Sequence, residues 1–215
     1  MKLSKLSPPR QLHGASILEK INNIFYEFNE IFIKKEGRPY LNGKFIFFNI
    51  STKYKGRSFS YPERFMHACS IIEKDTHTMF PCNNDISYEL CHNKCQCNQA
   101  LDEFQVINRG ECLYRLARIH WVPEVIELAN QKDERIRAWS QNETDSKKNK
   151  IRKHYIRYEC GMDDFLIIFK EDWRNKTLVK YDFITAFPIF LKHNKEQYDK
   201  NYAKFKKSTV VTTVP

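Results

Sequence analysis

His67, His120 and His154 are the side chains through which this chain could move protons near neutral pH, because imidazole titrates there. Arg115 and Arg118 stand three residues apart, the spacing that puts two guanidinium groups on one helix face, where they could fork onto a phosphate. Thr185 precedes the strand-ending Pro188 by three residues and offers a hydroxyl to a phosphate at a sheet edge. Together these are the ingredients of phosphodiester cleavage on RNA. A base takes the 2′-hydroxyl proton, a cation stabilises the phosphorane, and an acid protonates the 5′-oxygen. Each residue also has a plainer reading, as a satisfied histidine or a solvated arginine on an ordinary sheet.

The elements around these residues follow from hydrophobic spacing. Ile17, Leu18, Ile21, Ile24, Phe25, Phe28, Ile31 and Phe32 recur at helical steps and predict a long amphipathic helix ending near Gly37-Arg38-Pro39. Lys44–Ser51 reads as a buried strand, and a helix follows Pro62 with His67 beside its apolar face. Pro123 interrupts the Arg115–Leu128 helix near Trp121. Arg135–Trp139 is strand-like, Ser140–Lys150 reads as a loop, and three strands follow over 151–158, 165–170 and 178–187. On the first of these, alternation sets Arg152 and His154 on one face and Lys153 and Arg157 on the other. Both faces then carry charge, so at least one meets solvent. A basic amphipathic helix, His193–Lys207, closes the pattern; it and the preceding segment include Lys192 and Lys195. The order predicts an α+β fold with an antiparallel sheet of four to five strands flanked by helices, and an N-terminal helical extension. The expected organisation is a flexible 1–13, an N-terminal helical and β portion over 14–110, a core over 111–207 and a flexible 208–215.

Composition narrows the partner. Lys and Arg number 36 against 26 Asp and Glu, a net charge of +10, which points first to nucleic acid and second to a membrane surface. With 16 Phe and 11 Tyr there are aromatics enough to build a core and to stack on bases. Arg152, His154, Arg157, Lys192 and Lys195 are the candidate RNA-backbone contacts. No apolar run is long enough to span a bilayer, and Met1–Arg10 lacks the apolar core of a signal peptide, so the expectation is a cytoplasmic chain with no membrane partner. Seven cysteines, an odd number, fit a reducing compartment. Cys82, Cys91, Cys95 and Cys97 crowd together near His92, yet their spacing matches no zinc motif; they are weak metal candidates, and no cofactor is expected beyond an optional structural zinc. Glu159, Asp163, Asp164 and Glu171 fall on different faces of different segments, which suits a solvated hairpin end better than a metal-dependent nuclease.

Five segments share a further pattern: RLARIHWVPEVIEL (Arg115–Leu128), HYIRY (His154–Tyr158), DDFLIIFKE (Asp163–Glu171), YDFITAFPIF (Tyr181–Phe190) and KEQYDKNYAKF (Lys195–Phe205). This resembles the phage and prophage branch of the barnase–EndoU–colicin–RelE-like nucleases, over about 95 of the 215 residues. Its best pieces are Arg115, Arg118, Ile119 and Trp121 on the helix and Thr185, Ala186 and Phe187 on the strand. The insertion Gln141–Lys150 and the cysteine-rich stretch depart from the pattern. The resemblance implies a metal-independent endoribonuclease, toxin-like, acting on tRNA or mRNA and held in check by an antitoxin or other inhibitor protein. It implies catalytic roles for Arg115, Arg118 and Thr185, with His120 or His67 as acid or base. The alternatives are a non-catalytic RNA-binding module and a zinc-stabilised interaction adaptor.

Overall fold

A computed structural model describes residues 5–34, 37–54, 56–72, 101–145, 147–161, 163–189 and 192–211. Helix α1 (Ile17–Phe28) starts at Ser16, whose hydroxyl accepts from the Glu19 backbone N–H at 3.2 Å. It runs on into a wide π-type turn, Asn29–Ile33, closed by Lys34 N–H on Asn29 O. Strands β1 (Tyr40–Leu41) and β2 (Lys44–Phe47) form a short hairpin. Strands β3 (Lys53–Tyr54) and β4 (Arg57–Ser58) form another. Helix α2 (Glu63–Ala68) leads into β5 (Ser70–Ile72). Helix α3 (Asp102–Val106) precedes β6 (Arg109–Glu111), which pairs with β5. Helix α4 (Leu113–Leu116) and helix α5 (Trp121–Asn130) are separate, with Pro123 in the first turn of α5, where its missing N–H costs nothing.

The sheet is built from β7 (Ile136–Thr144), β8 (Lys150–Cys160), β9 (Asp163–Arg174) and β10 (Thr177–Pro188). Tight turns join them. Gly161 supplies a positive φ between β8 and β9, and Asn175 and Lys176 both take positive φ between β9 and β10, as a two-residue hairpin of matching twist requires. The expected sheet of four to five antiparallel strands is corrected here. It has six strands in the order β1-β2-β10-β9-β8-β7 and is mixed, because β2 joins β10 in parallel, with Phe45, Ile46 and Phe47 opposite Lys180, Tyr181 and Asp182. The expected loop Ser140–Lys150 is corrected as well. Residues 140–144 continue β7, paired with 150–154 of β8, and Asp145 N–H donates to Asn149 O where the two strands join. Polar residues suit this stretch because β7 is the sheet's edge, where one side of the strand meets water.

Each face of the sheet has its own core. On the first face, Ile156, Phe169, Tyr181 and Phe183 join Phe28 and Phe32 of the N-terminal segment, Phe65 of α2 and Trp121 of α5 in one continuous cluster. Phe48 stacks on Phe183 at 4.7 Å and meets Phe28 edge-on at 4.7 Å, so the described residues around α1, β2 and α2 share one apolar cluster with the sheet. On the second face, helix α6 (Lys192–Val211) lays Tyr198, Tyr202 and Phe205 against Trp139, Tyr155 and Leu166. Residues 7–10 dock across α4 and α5: Trp121 donates to Ser7 O at 2.7 Å, Ser7 N–H donates to Glu124 at 2.8 Å, and Arg10 N–H donates to Ala117 O at 2.7 Å.

Candidate active site at the open edge of strand β10

Strand β2 covers β10 only as far as Asp182, so the edge from Ile184 to Pro188 is open to helix α2 instead. The register of β10 against β9 slips here. Phe183 faces Phe169 and Thr185 faces Ile168, leaving Ile184 bulged. Arg64 of α2 reaches the Ile184 carbonyl from Nη1 at 3.4 Å. Arg115 lies with its guanidinium 5.2 Å from the centre of the Phe187 ring. Thr185, half-buried, sits between these two contacts, and among the described residues its hydroxyl has no hydrogen-bond partner.

Two further constraints tighten the cluster. Arg115 Nη1 and Arg109 Nη2 each donate to the Ser70 carbonyl at 2.8 Å, so one oxygen holds two guanidinium groups. Arg109 Nε also donates to the Ser70 hydroxyl at 2.6 Å, and that hydroxyl donates to the Met66 carbonyl. His67 stands on α2 one turn from Arg64, with Nε2 3.5 Å from Glu63 Oε1. Burial, then Arg109, Arg64 and Arg115 in turn, push its pKa down to about 4. The imidazole is therefore neutral at pH 7 and able to accept a proton. An anion bound among the three arginines would offset their effect and raise the same pKa.

The structure thus brings Arg115, His67 and Thr185 to one edge, and it adds Arg64 and Arg109, which sequence reasoning missed. Arg64 had a local signal, since it stands three residues before His67 and shares its helix face. Arg109 had none, because only the pairing of Ile72 with Arg109 between β5 and β6 carries it there.

Other expected residues go elsewhere. Arg118 is buried: its guanidinium stacks 3.4 Å from the Tyr114 ring centre and 5.1 Å from that of Trp121, and Nη1 donates to Tyr114 O at 3.0 Å. The forked pair expected with Arg115 is therefore not formed: α4 is a single turn, tighter i→i+3 bonds follow it from Arg118 N–H on Arg115 O onward, and the Arg118 guanidinium is drawn to Tyr114 and Trp121 while that of Arg115 goes to Ser70 O. His120 is buried under the N-terminal segment, its Nε2 3.2 Å from Pro8 O, and burial lowers its pKa. It sits apart from the β10 edge, against the N-terminal segment. Arg157 is 1% exposed and donates to both Asp164 oxygens at 2.8 and 2.6 Å, with Nη1 on Asp199 at 2.9 Å. It ties α6 to the sheet, with its guanidinium engaged inside the protein.

His154 belongs to a second polar cluster. Its Nδ1 lies 2.9 Å from Ser140 Oγ, which donates to Glu171 Oε1 at 2.5 Å. Arg152 Nε meets Glu171 Oε2 at 2.9 Å, and Trp173 Nε1 donates to it at 2.6 Å. Serine, histidine and glutamate suggest a hydrolytic triad, but the order is wrong. The serine sits between the other two, and its proton faces a carboxylate held at about 2 against its burial, by the bonds from His154, Ser140 and Trp173 and the charge of Arg152. Such a carboxylate is a poor base, so the cluster is a buried anchor. Arg152 remains half-exposed and lines a groove of about 840 Å³ with Asn142 of β7 and Lys204 of α6. Lys192 is exposed, whereas Lys195 turns in toward Asp164 at 3.4 Å.

Among the described residues no cluster of His, Cys, Asp and Glu could hold a metal ion, and no helix is long and apolar enough to cross a membrane. Cys82, Cys91, Cys95 and Cys97 lie outside the described residues. Compared with known proteins, the chain matches no family model, no curated protein and no solved structure at a significant level. The likeness to the barnase–EndoU–colicin–RelE-like nucleases accordingly rests on the sequence motifs alone.

Proposed function

We propose that the chain is an endoribonuclease that cleaves single-stranded regions of tRNA or mRNA at the ribose 2′-hydroxyl, with the open edge of β10 as its active site. The observation behind this reading is the gathering of Arg64, Arg109 and Arg115 at the β10 edge, held on the Ile184 and Ser70 carbonyls, where their charges lower the pKa of His67 and a threonine hydroxyl has no partner among the described residues. Arg64, Arg109 and Arg115 receive the scissile phosphate and stabilise the charge that grows on its oxygens. Thr185 donates to a non-bridging oxygen. His67 takes the 2′-hydroxyl proton as that oxygen attacks phosphorus. The resulting imidazolium, stabilised by the phosphate charge and Glu63, returns the proton to the departing 5′-oxygen. The products are a 2′,3′-cyclic phosphate and a free 5′-hydroxyl. The lysines on the outer side of α6 and the half-exposed Arg152 would hold the flanking backbone. A toxin-like activity of this kind also calls for an inhibitor protein.

The reading is tested by incubating the full chain with total tRNA and mRNA in excess EDTA. Cyclic-phosphate ends are expected, reduced on the order of 100-fold or more in His67→Gln. Arg115→Ala and Thr185→Ala should lower the rate while leaving the fold intact. RNA left whole at every protein concentration overturns the proposal. A second reading, an RNA-binding module without chemistry, draws on the burial of His120 and His154, which leaves a single histidine at the edge. It expects salt-sensitive RNA binding with no cleavage.

A further inference from the structure

Helix α6 covers only part of the second sheet face. Beyond it lies a hollow of about 540 Å³, within the range of small-ligand sites and large enough for a nucleotide. Its floor is Lys153 of β8, Lys170 of β9 and the Asp182–Ile184 stretch of β10. Phe47 and Asn49 line one side, at the end of β2, and Arg64 lines another.

We propose that this hollow is a base-and-phosphate subsite for one unstacked nucleotide of single-stranded RNA, next to the scissile phosphate. The inference rests on the reading of RNA as the ligand of the β10 edge, and four observations bear on it. Phe47 is 38% exposed in the hollow, although most phenylalanines here are buried. Lys180 holds its Nζ 4.4 Å from that ring's centre, so the ring already serves as a stacking surface for a cation. Lys170 is exposed, with Asp145 of the same hollow within reach of its charge but in no close ion pair among the described residues, and Arg64 Nε has no hydrogen-bond partner among them. The carboxylates lining the hollow are engaged: Asp182 binds Lys180, and Asp145 accepts from the Lys147 and Asn149 N–H groups at 2.9 and 2.8 Å. Lys153 is paired with Glu143 at 2.6 Å, which leaves Arg64 and Lys170 as the cations for a phosphate.

Continuity fixes the register. Arg64 lines the hollow and also touches the Ile184 carbonyl beside Thr185, so a phosphate on Arg64 links the two sites. A base can reach Phe47 only when unstacked and unpaired, which selects single strands over duplex.

The test uses a fluorescent, fully 2′-O-methylated RNA hexamer, which cannot be cleaved, and its duplex, each titrated with the full chain and read by anisotropy. Phe47→Ala should weaken single-strand binding on the order of tenfold, and Phe47→Trp should restore it. Lys170→Gln should weaken it severalfold and flatten its dependence on log salt by about 0.7. Duplex affinity should ignore Phe47. An unchanged hexamer affinity in Phe47→Ala, an equal loss for duplex, or failure of the native chain to bind the hexamer overturns the subsite. If Phe47 controls binding but unmethylated RNA is never cut, the nuclease reading fails and the subsite stands. If RNA is cut and Phe47 is indifferent, the reverse holds.

Discussion

Removing the Asp164 carboxylate should unlock helix α6 from the sheet. Arg157 is 1% exposed and Asp164 is equally enclosed, their side chains joined by two bonds of 2.8 and 2.6 Å in the forked geometry that suits guanidinium and carboxylate. The third guanidinium bond goes to Asp199 of α6, and Lys195 of α6 approaches Asp164 at 3.4 Å. Asp164 also accepts from the Ile189 N–H through its backbone at 2.8 Å, just before α6 begins. In Asp164→Ala the guanidinium stays buried with Asp199, Glu159 and the Lys195 carbonyl near it, and Asp199 is itself half-exposed. Breaking a buried pair by removing one partner costs about 3–5 kcal/mol. For a chain of this size each kcal/mol lowers the melting temperature by about 2–4 °C, so a drop of roughly 6–20 °C is expected.

The double variant Arg157→Met/Asp164→Leu removes both charges and refills the space. It should cost less than about 1 kcal/mol, since apolar replacements of buried pairs are often neutral. Thermal and urea unfolding of the native, two single and double variants completes the cycle. Single losses that simply add up in the double, or an Asp164→Ala chain melting within about 2 °C of native, would refute the account. The double variant has a second use. If Arg157 contacted RNA, its loss would flatten the log-salt dependence of single-strand binding by about 0.7; a purely internal role leaves that slope unchanged.

Two more outcomes follow from the other buried groups. Glu171 has its pKa lowered from an ordinary 4.5 to about 2, so its contribution is present above about pH 4.5 and is lost as pH falls through 2; Glu171→Gln should flatten that acid limb in urea titrations from pH 6 to 2, and an unchanged limb would refute it. Deleting residues 1–9 should destabilise the chain by roughly 2–4 kcal/mol, from Leu6 burial plus the hydrogen bonds at Trp121, His120 and Glu124, and should bring the His120 imidazole into exchange with solvent in proton NMR; a deletion that leaves both unchanged refutes the docked arrangement.

Local pattern made several elements legible. The three- and four-residue spacing of Ile21, Ile24 and Phe28 marks the buried face of α1, and all three are enclosed. The segments over 151–158, 165–170 and 178–187 are strands, each somewhat longer than its apolar stretch because pairing extends into polar residues. Pro123 separates α4 from α5 as its chemistry demands. What failed was long-range. The parallel partnership of β2 and β10 joins residues more than a hundred positions apart, and nothing in KFIF states a direction. The strand character of 140–144 depends on a partner that supplies hydrogen bonds, not on side chains that prefer strands. The separation of Arg115 from Arg118 required knowing that α4 lasts one turn, and both residues are equally polar on paper.

The position of Thr185 shows how a single residue of register decides the site. In an unbroken strand Thr185 would share its face with Tyr181 and Phe183, which belong to the first core, and its hydroxyl would be buried among aromatic rings. The bulge at Ile184 shifts the alternation by one. Ala186 then fills the core position, while Thr185 moves to the second face with Ile168 and Phe187. The same slip takes Ile184 out of the ladder, just past the last residue of β10 paired with β2, and its carbonyl accepts from Arg64. One irregularity therefore turns the hydroxyl away from the first core and leaves the neighbouring Ile184 carbonyl to a guanidinium. Regular pairing resumes at once, with Ala186 opposite Ile167 and buried in the first core.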